Sequence, residues 1–126
     1  MMRSFISIFL LFLFFSCASG PVDVPQEVTA DKLIQLGQEA SDKNKYDQAL
    51  QYYQAVIDRF PTQIDSVCGA EYEIAFIYYK QKKYDIARQK LNALLARYDE
   101  PDEELLPGEY KILAHIALEK IVADKE

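Results

Sequence analysis

The 126-residue sequence predicts an all-α protein of five helices in which one helical hairpin occurs twice. The first observation is an internal repeat: residues 45–59 and 83–97 share seven identities in fifteen aligned positions, at an offset of 38. The second is the spacing of apolar residues, which follows helical intervals in both copies and nowhere alternates as in a half-buried strand. These two observations predict hairpins that stack side by side and bury a shared core.

The first predicted hairpin covers residues 30–61. Thr29 is the expected N-cap of its first helix, in which Leu33, Leu36, Gly37 and Ala40 share one face. A polar break at 41–45 separates this helix from the second, which ends at Pro61 because proline cannot continue a helix. The apolar stripe of the second helix comprises Tyr46, Ala49, Leu50, Tyr53, Val56, Ile57 and Phe60.

The second predicted hairpin covers residues 68–99, with its break at 80–83. Cys68 is expected at its start, packed as a small apolar residue. A fifth helix is predicted from Pro107 to residue 122 and caps the stack, which gives a repeat domain of residues 29–124. Two links, 61–66 and 99–106, join the hairpins and the last helix.

The first sixteen residues have the layout of a secretory signal. Arg3 precedes an apolar run over residues 5–15, which is shorter than the roughly 20 residues that a membrane-spanning helix needs. Cys17 follows at once, and this arrangement resembles a bacterial lipoprotein signal, which implies cleavage before Cys17 and a diacylglycerol on its thiol. An uncleaved membrane anchor is the alternative.

The lipoprotein resemblance also carries an expected location. Because Ala18 follows Cys17, where an Asp would favour the inner membrane, the resemblance implies the periplasmic side of the outer membrane. Residues 17–28, which include Pro21 and Pro25, predict a flexible tether between the lipid and the repeat domain.

Charge and composition exclude several classes of function. A net charge of -6 argues against nucleic-acid binding, which needs a basic surface. His115 is the single histidine, and the sequence has no zinc-ligand spacing, no calcium loop and no glycine-rich phosphate loop. We therefore expect neither an enzyme nor a metal or organic cofactor.

The small residues Gly37, Ala49, Ala75 and Ala87, with Tyr53 and Pro61, resemble the tetratricopeptide repeat. The resemblance implies a short right-handed solenoid whose first helices line a concave groove, and it implies protein–protein interaction as the function. The long links and the pattern of residues 70–80 are similar to the sub-group that includes the tetratricopeptide lipoprotein of the outer-membrane β-barrel assembly machinery.

If Gly37, Ala75 and the start of the last helix are equivalent, seven side chains are predicted to bind a protein or peptide in the groove. The aromatic members, at i, i+4 and i+7, have the large contact area typical of binding hot spots; the alternative is that they pack on the tether, a neighbouring helix or a second copy. The seven residues are Ile34, Gln38, Tyr72, Phe76, Tyr79, Lys111 and His115.

These observations predict a lipid-anchored periplasmic scaffold, acting as a subunit or adaptor of an envelope or outer-membrane assembly. The alternatives are a self-associating structural lipoprotein and an accessory module of a transporter. Two hairpins and one helix bury little apolar surface, and three repeats are the usual minimum. The sequence therefore also predicts self-association or dependence on a partner subunit.

Overall fold

The computed structural model describes residues 21–101 and 105–125, which form five α-helices and one short 3-10 helix, with no strand among them. The predicted all-α fold is confirmed. The predicted signal peptide 1–16 and Cys17 lie outside the described residues. In the described part, no helix is both long enough and apolar enough to cross a bilayer. The helices are α1 (Ala30–Asp42), α2 (Tyr46–Arg59), α3 (Ile64–Lys80), α4 (Tyr84–Ala96) and α5 (Gly108–Lys125), with the 3-10 helix at Arg97–Asp99.

The two hairpins turn through the same backbone geometry. Thr29 caps α1 as predicted, since its hydroxyl oxygen accepts a hydrogen bond from the Lys32 amide at 3.2 Å. Asn44 and Lys82 then occupy the left-handed region, with φ of 57° and 59°. One residue later, the amides of Lys45 and Lys83 donate back to the preceding helix at 2.8 and 2.9 Å. The repeat in sequence is therefore also a repeat in backbone conformation.

Within each hairpin a small residue on the first helix faces a large one on the second. A Cβ atom on Gly37 would lie only 2.7 Å from the ring of Tyr53, so the first hairpin closes on a residue that lacks this atom. At the equivalent positions of the second hairpin, Ala75 and Leu91 are both fully buried in one cluster. Ala75 is larger than Gly37, and its partner Leu91 is smaller than Tyr53, so the helices of each hairpin can pack closely.

Helix α3 contributes to both apolar clusters and joins the repeats. Its residues Ala70, Ile74 and Ile77 pack with α1 and α2. From the other side of the same helix, Cys68 and Ala75 pack with α4 and α5. Cys68 is a free, fully buried thiol whose pKa is raised above its ordinary value chiefly by burial, in agreement with its predicted role as a small core residue.

The second hairpin begins earlier than its predicted start at residue 68. Helix α3 starts at Ile64, so the link after α2 is short and Cys68 lies in the second turn of the helix. The reason is that Ile64 is half-buried against the second cluster and Val67 is buried, so both residues belong to the helix and not to the link. At the other end, α5 runs to Lys125, three residues past the predicted 122.

The predicted tether is not loose over its whole length. Residues 21–28 lie against the first hairpin: the Val22 amide donates to the Gln51 side chain at 2.9 Å, and Arg59 donates to the carbonyl of Pro25. Val24 and Val28 pack on the first core cluster. Two valines four residues apart in an extended segment produce no helical period, so the sequence pattern gives no sign of this contact. We call residues 21–28 the N-terminal strap.

Candidate docking groove

A groove opens between α1, α3 and α5, on the side of the stack where the first helices of the hairpins lie. Its volume is about 500 Å³. A smaller cleft, of about 210 Å³, lies between α2, α3 and α4. Helix α1 supplies the polar wall of the groove, α3 the aromatic floor and α5 the far rim. The lining residues are Gln38, Ser41, Asp42, Tyr53, Tyr72, Glu73, Phe76, Lys80 and Leu113.

The aromatic side chains of α3 form a ladder that runs out of the groove. The ring of Tyr72 stacks on Phe76 with centroids 5.8 Å apart, and Phe76 stacks on Tyr79 at 5.3 Å. Two ammonium groups flank the central ring: Lys80 Nζ lies 5.4 Å and Lys120 Nζ 6.0 Å from the Phe76 centroid. Stacking and cation–π contact therefore both stabilise the position of the Phe76 ring.

The groove floor carries two polar groups that burial perturbs. Tyr53 is fully buried, and its hydroxyl has no hydrogen-bond partner among the described residues. Burial, followed by the charges of Glu73 and Asp42, raises its pKa. Burial also raises the pKa of the Glu73 carboxyl; nearby Lys80 opposes this shift and Asp42 adds to it. The floor therefore disfavours additional negative charge.

Three of the seven predicted groove residues come together in this groove. Gln38 is exposed on the α1 wall, and Tyr72 and Phe76 form the floor from α3. Tyr79 continues the ladder beyond the groove, where its hydroxyl donates to Asp124 at 2.6 Å. Ile34 is half-buried and packs on the first core cluster, so it does not line the groove.

The structure places Lys111 and His115 elsewhere. Both are exposed on α5, and Lys111 Nζ lies 5.8 Å from the ring of Tyr98, at the junction with α4. The helix turns Leu113 to the groove and Lys120 toward Phe76 instead. Leu113 and Lys120 correspond to Glu73 and Lys80 at an offset of 40, whereas the predicted pairs Tyr72–Lys111 and Phe76–His115 are 39 residues apart. One residue of register rotates a helix by about 100°, which moves the predicted side chains off the groove.

Lys80 and Glu73 also line the groove, although no sequence pattern predicted them. A charged residue on a helix is usually solvated, and nothing in the spacing distinguishes these two from the others. The signal that could have corrected α5 is its apolar composition. Ile112, Leu113 and Ile116 are exposed to 63%, 36% and 43%, and three such residues together mark a helix face that is not part of the core.

Over residues 21–101 and 105–125, no group of three or more His, Cys, Asp or Glu side chains is arranged to hold a metal ion. The groove instead offers aromatic faces, an amide, a hydroxyl and an ammonium group. Such a set can bind a peptide or protein segment by apolar contact and hydrogen bonding.

The fold and the groove define a helical-repeat protein, a class in which stacked hairpins form a continuous surface. Residues 33–62 and 70–100 match the family model described as "Tetratricopeptide repeat". The chain therefore contains two tetratricopeptide repeats, a non-catalytic fold that generally mediates protein–protein interaction, and α5 follows them.

A protein of Treponema pallidum (strain Nichols), described as "Uncharacterized protein", is 36% identical to this chain over 113 residues. The match covers 88% of this chain and 45% of that protein, so the chain spans about half the length of its relative. No solved structure matches the chain.

Proposed function

We propose that the protein is a lipid-anchored periplasmic scaffold that binds a segment of another protein in the groove between α1, α3 and α5. The observation that carries this proposal is the open groove with Tyr72 and Phe76 on its floor, in a chain built of tetratricopeptide repeats. The lipid on Cys17, the outer-membrane location and the role as a subunit or adaptor of an envelope assembly rest on the resemblances described above.

Crosslinking and affinity purification from native membranes test this proposal. Gln38 is exposed on the groove wall, so Gln38→Arg fills the groove without disturbing the core. We expect the captured partner to be lost with this variant. Gln89→Arg makes the same chemical change at an exposed position on α4, outside the groove lining, and should retain the partner. Equal capture by the two variants would contradict groove binding.

The anchor is tested separately with Cys17→Ala. We expect this variant to leave the membrane fraction, whereas the Gln38 variant stays in it. A Cys17→Ala protein that remains in the membranes after an alkaline wash would contradict lipidation.

A self-associating structural lipoprotein is the second candidate, and one observation favours it. Ile112, Ile116 and Val122 are exposed to 63%, 43% and 56% on α5, which is more apolar surface than a lone terminal helix needs. On this alternative, Ile112→Gln with Ile116→Gln changes the oligomer size in solution, whereas Gln38→Arg releases no other protein.

A further inference from the structure

The helices of the stack begin and end at two opposite edges, and these two edges differ in charge. The helices run alternately up and down, so the turns after α1 and α3 lie at one edge, which we call the turn edge. Lys80 Nζ donates to Ser41 Oγ at 3.2 Å, and Lys125 Nζ bonds Asp85 at 2.9 Å, which brings the two turns and the end of α5 together. The turns themselves hold four exposed lysines and no acid: Lys43, Lys45, Lys82 and Lys83.

The opposite edge, where α2 leads to α3 and α4 leads to α5, we call the link edge. Exposed carboxylates outnumber the cations there among the described residues: Asp58, Asp65, Asp99, Glu100 and Glu109. Of the cations, Arg59 donates to the carbonyl of Pro25, Arg97 forms an ion pair with Glu71, and Lys32 and Lys111 lie in the first turns of α1 and α5. The charge is therefore distributed unevenly between the two edges.

Distance makes this separation matter. Helix α3 has 17 residues, so the two edges are roughly 25 Å apart at about 1.5 Å per residue. The Debye length at physiological ionic strength is about 8 Å. A charged surface that touches the turn edge therefore interacts with the lysines, and it is screened from the carboxylates. Asp42, Asp47, Asp85 and Asp124 lie at the turn edge and offset part of the positive charge; Asp85 is bonded to Lys125 and Asp124 accepts from Tyr79.

The N-terminal strap runs along α2 in the direction from the turn edge to the link edge. From Val22, bonded to Gln51, it runs to Pro25, bonded to Arg59 at the end of α2, and then to the start of α1 at the link edge. Val22 therefore lies nearer than Pro25 to the start of α2. Gln51 is five residues from Tyr46, or about 7.5 Å from the start of α2. Four Cα–Cα steps from Pro21 to Cys17 span at most about 15 Å, which reaches the turn edge.

We propose that the turn edge docks on an anionic bilayer surface, so that the repeat body rests on its hairpin turns and the acidic link edge points away. This inference rests on the lipid anchor of the proposed function. Lysines near an anionic leaflet attract it within a Debye length, and the short connection to Cys17 holds them there. The groove then opens sideways, parallel to the membrane plane.

Headgroup quenching of a dye on the full chain tests this orientation. The protein is purified from membranes and reconstituted into phosphatidylglycerol-containing vesicles, with a dye on Lys43→Cys at the turn edge or on Thr62→Cys at the link edge. Cys68 is fully buried and does not compete for the label. A nitroxide headgroup lipid should quench the dye at residue 43 at least about twofold more than the dye at residue 62, and this difference should shrink in phosphatidylcholine vesicles or high salt.

A charge-matched pair of variants isolates the contribution of the lysines. Lys45→Gln/Lys82→Gln/Lys83→Gln should abolish the difference in quenching, whereas Lys32→Gln/Lys90→Gln/Lys111→Gln, with the same change in net charge, should preserve it. Vesicle-bound protein with equal quenching at both edges overturns the orientation alone, and an acidic protein would then be the better partner for the turn edge. Protein that does not remain on the vesicles overturns the lipid anchor and the orientation together.

Discussion

The two hairpins reach one backbone geometry with different side chains. Their turns superimpose in hydrogen bonding, yet the left-handed residue is Asn44 in the first and Lys82 in the second. The close approach uses Gly37 with Tyr53 in the first hairpin and Ala75 with Leu91 in the second. The two copies therefore share a backbone conformation and a similar summed side-chain volume at the close approach. They differ in which side chain fills that volume and in which residue adopts the left-handed turn conformation.

The largest expected effect comes from disturbing the Gly37–Tyr53 pair. Gly37→Ala places a methyl group 2.7 Å from the Tyr53 ring, and we expect it to lower the free energy of unfolding by about 1–2 kcal/mol. Overpacking costs roughly 1–3 kcal/mol, and the better helix propensity of alanine returns up to about 1 kcal/mol. Chemical denaturation measures the change.

The second hairpin supplies the rescue for this variant. Adding Tyr53→Leu to Gly37→Ala copies the Ala75–Leu91 pair, so the double variant should be more stable than the sum of the single effects predicts. Gly108→Ala is the control, since a Cβ atom there meets nothing within 4 Å. Strict additivity of the two changes would show that the pairs are not equivalent.

The turn residues give the next effect. Lysine in the left-handed region costs more than asparagine, which tolerates it through its short polar side chain. Lys82→Asn should therefore stabilise the protein by about 0.5–1 kcal/mol, and Asn44→Lys should destabilise it by a similar amount. A shift of the urea midpoint at constant slope is the measurement. The urea midpoint should rise for Lys82→Asn and fall for Asn44→Lys. Shifts in the same direction would contradict the equivalence of the two turns.

The smallest effect concerns Glu73, whose equivalent in the first hairpin is the uncharged Gln35. Burial raises the pKa of the Glu73 carboxyl above its ordinary 4.5, so the folded state holds a proton that the unfolded state has released. The resulting stability is fully present below pH 4.5 and is lost as the pH rises through the folded-state pKa.

Glu73→Gln should therefore raise Tm by a few degrees at neutral pH and leave it unchanged below pH 4.5. Thermal melts across this range test the effect. Glu119→Gln, which changes an exposed carboxylate on α5, should give a difference that does not depend on pH in this way. A pH-independent gain for Glu73→Gln would mean that ionisation in the groove costs nothing.

Much of this fold could be predicted from the sequence because its information is local. In the first hairpin, Thr29 marks the start of α1, the polar break marks its end, and Pro61 marks the end of α2. The 38-residue offset then predicts the same helices in the second hairpin. The start of α3 was predicted too late because Ile64 and Val67 follow Pro61 without a helical pattern. Only the packing of Ile64 on the second cluster and the burial of Val67 show that they are core.

The groove could be predicted only where the repeat fixes the register. Gln38, Tyr72 and Phe76 follow from the equivalence of Gly37 and Ala75. The identities between α3 and α5 do not agree on one offset, since Ala75 matches Ala114 at 39 and Lys80 matches Lys120 at 40. This one residue of uncertainty is why Lys111 and His115 were predicted in the groove in place of Leu113. The pairing of the strap with Gln51 and Arg59 depends on long-range hydrogen bonds, which no local pattern encodes.

The N-terminal strap makes the two ends of this stack unequal. A one-dimensional array loses stability at any terminus that leaves apolar surface in water, and capping elements remedy that. Val24 and Val28 pack on the first hairpin, so residues of the strap cover apolar surface at this end of the stack. Helix α5 has no comparable cover among the described residues, and its exposed Ile112, Ile116 and Val122 leave apolar surface of the stack in contact with water.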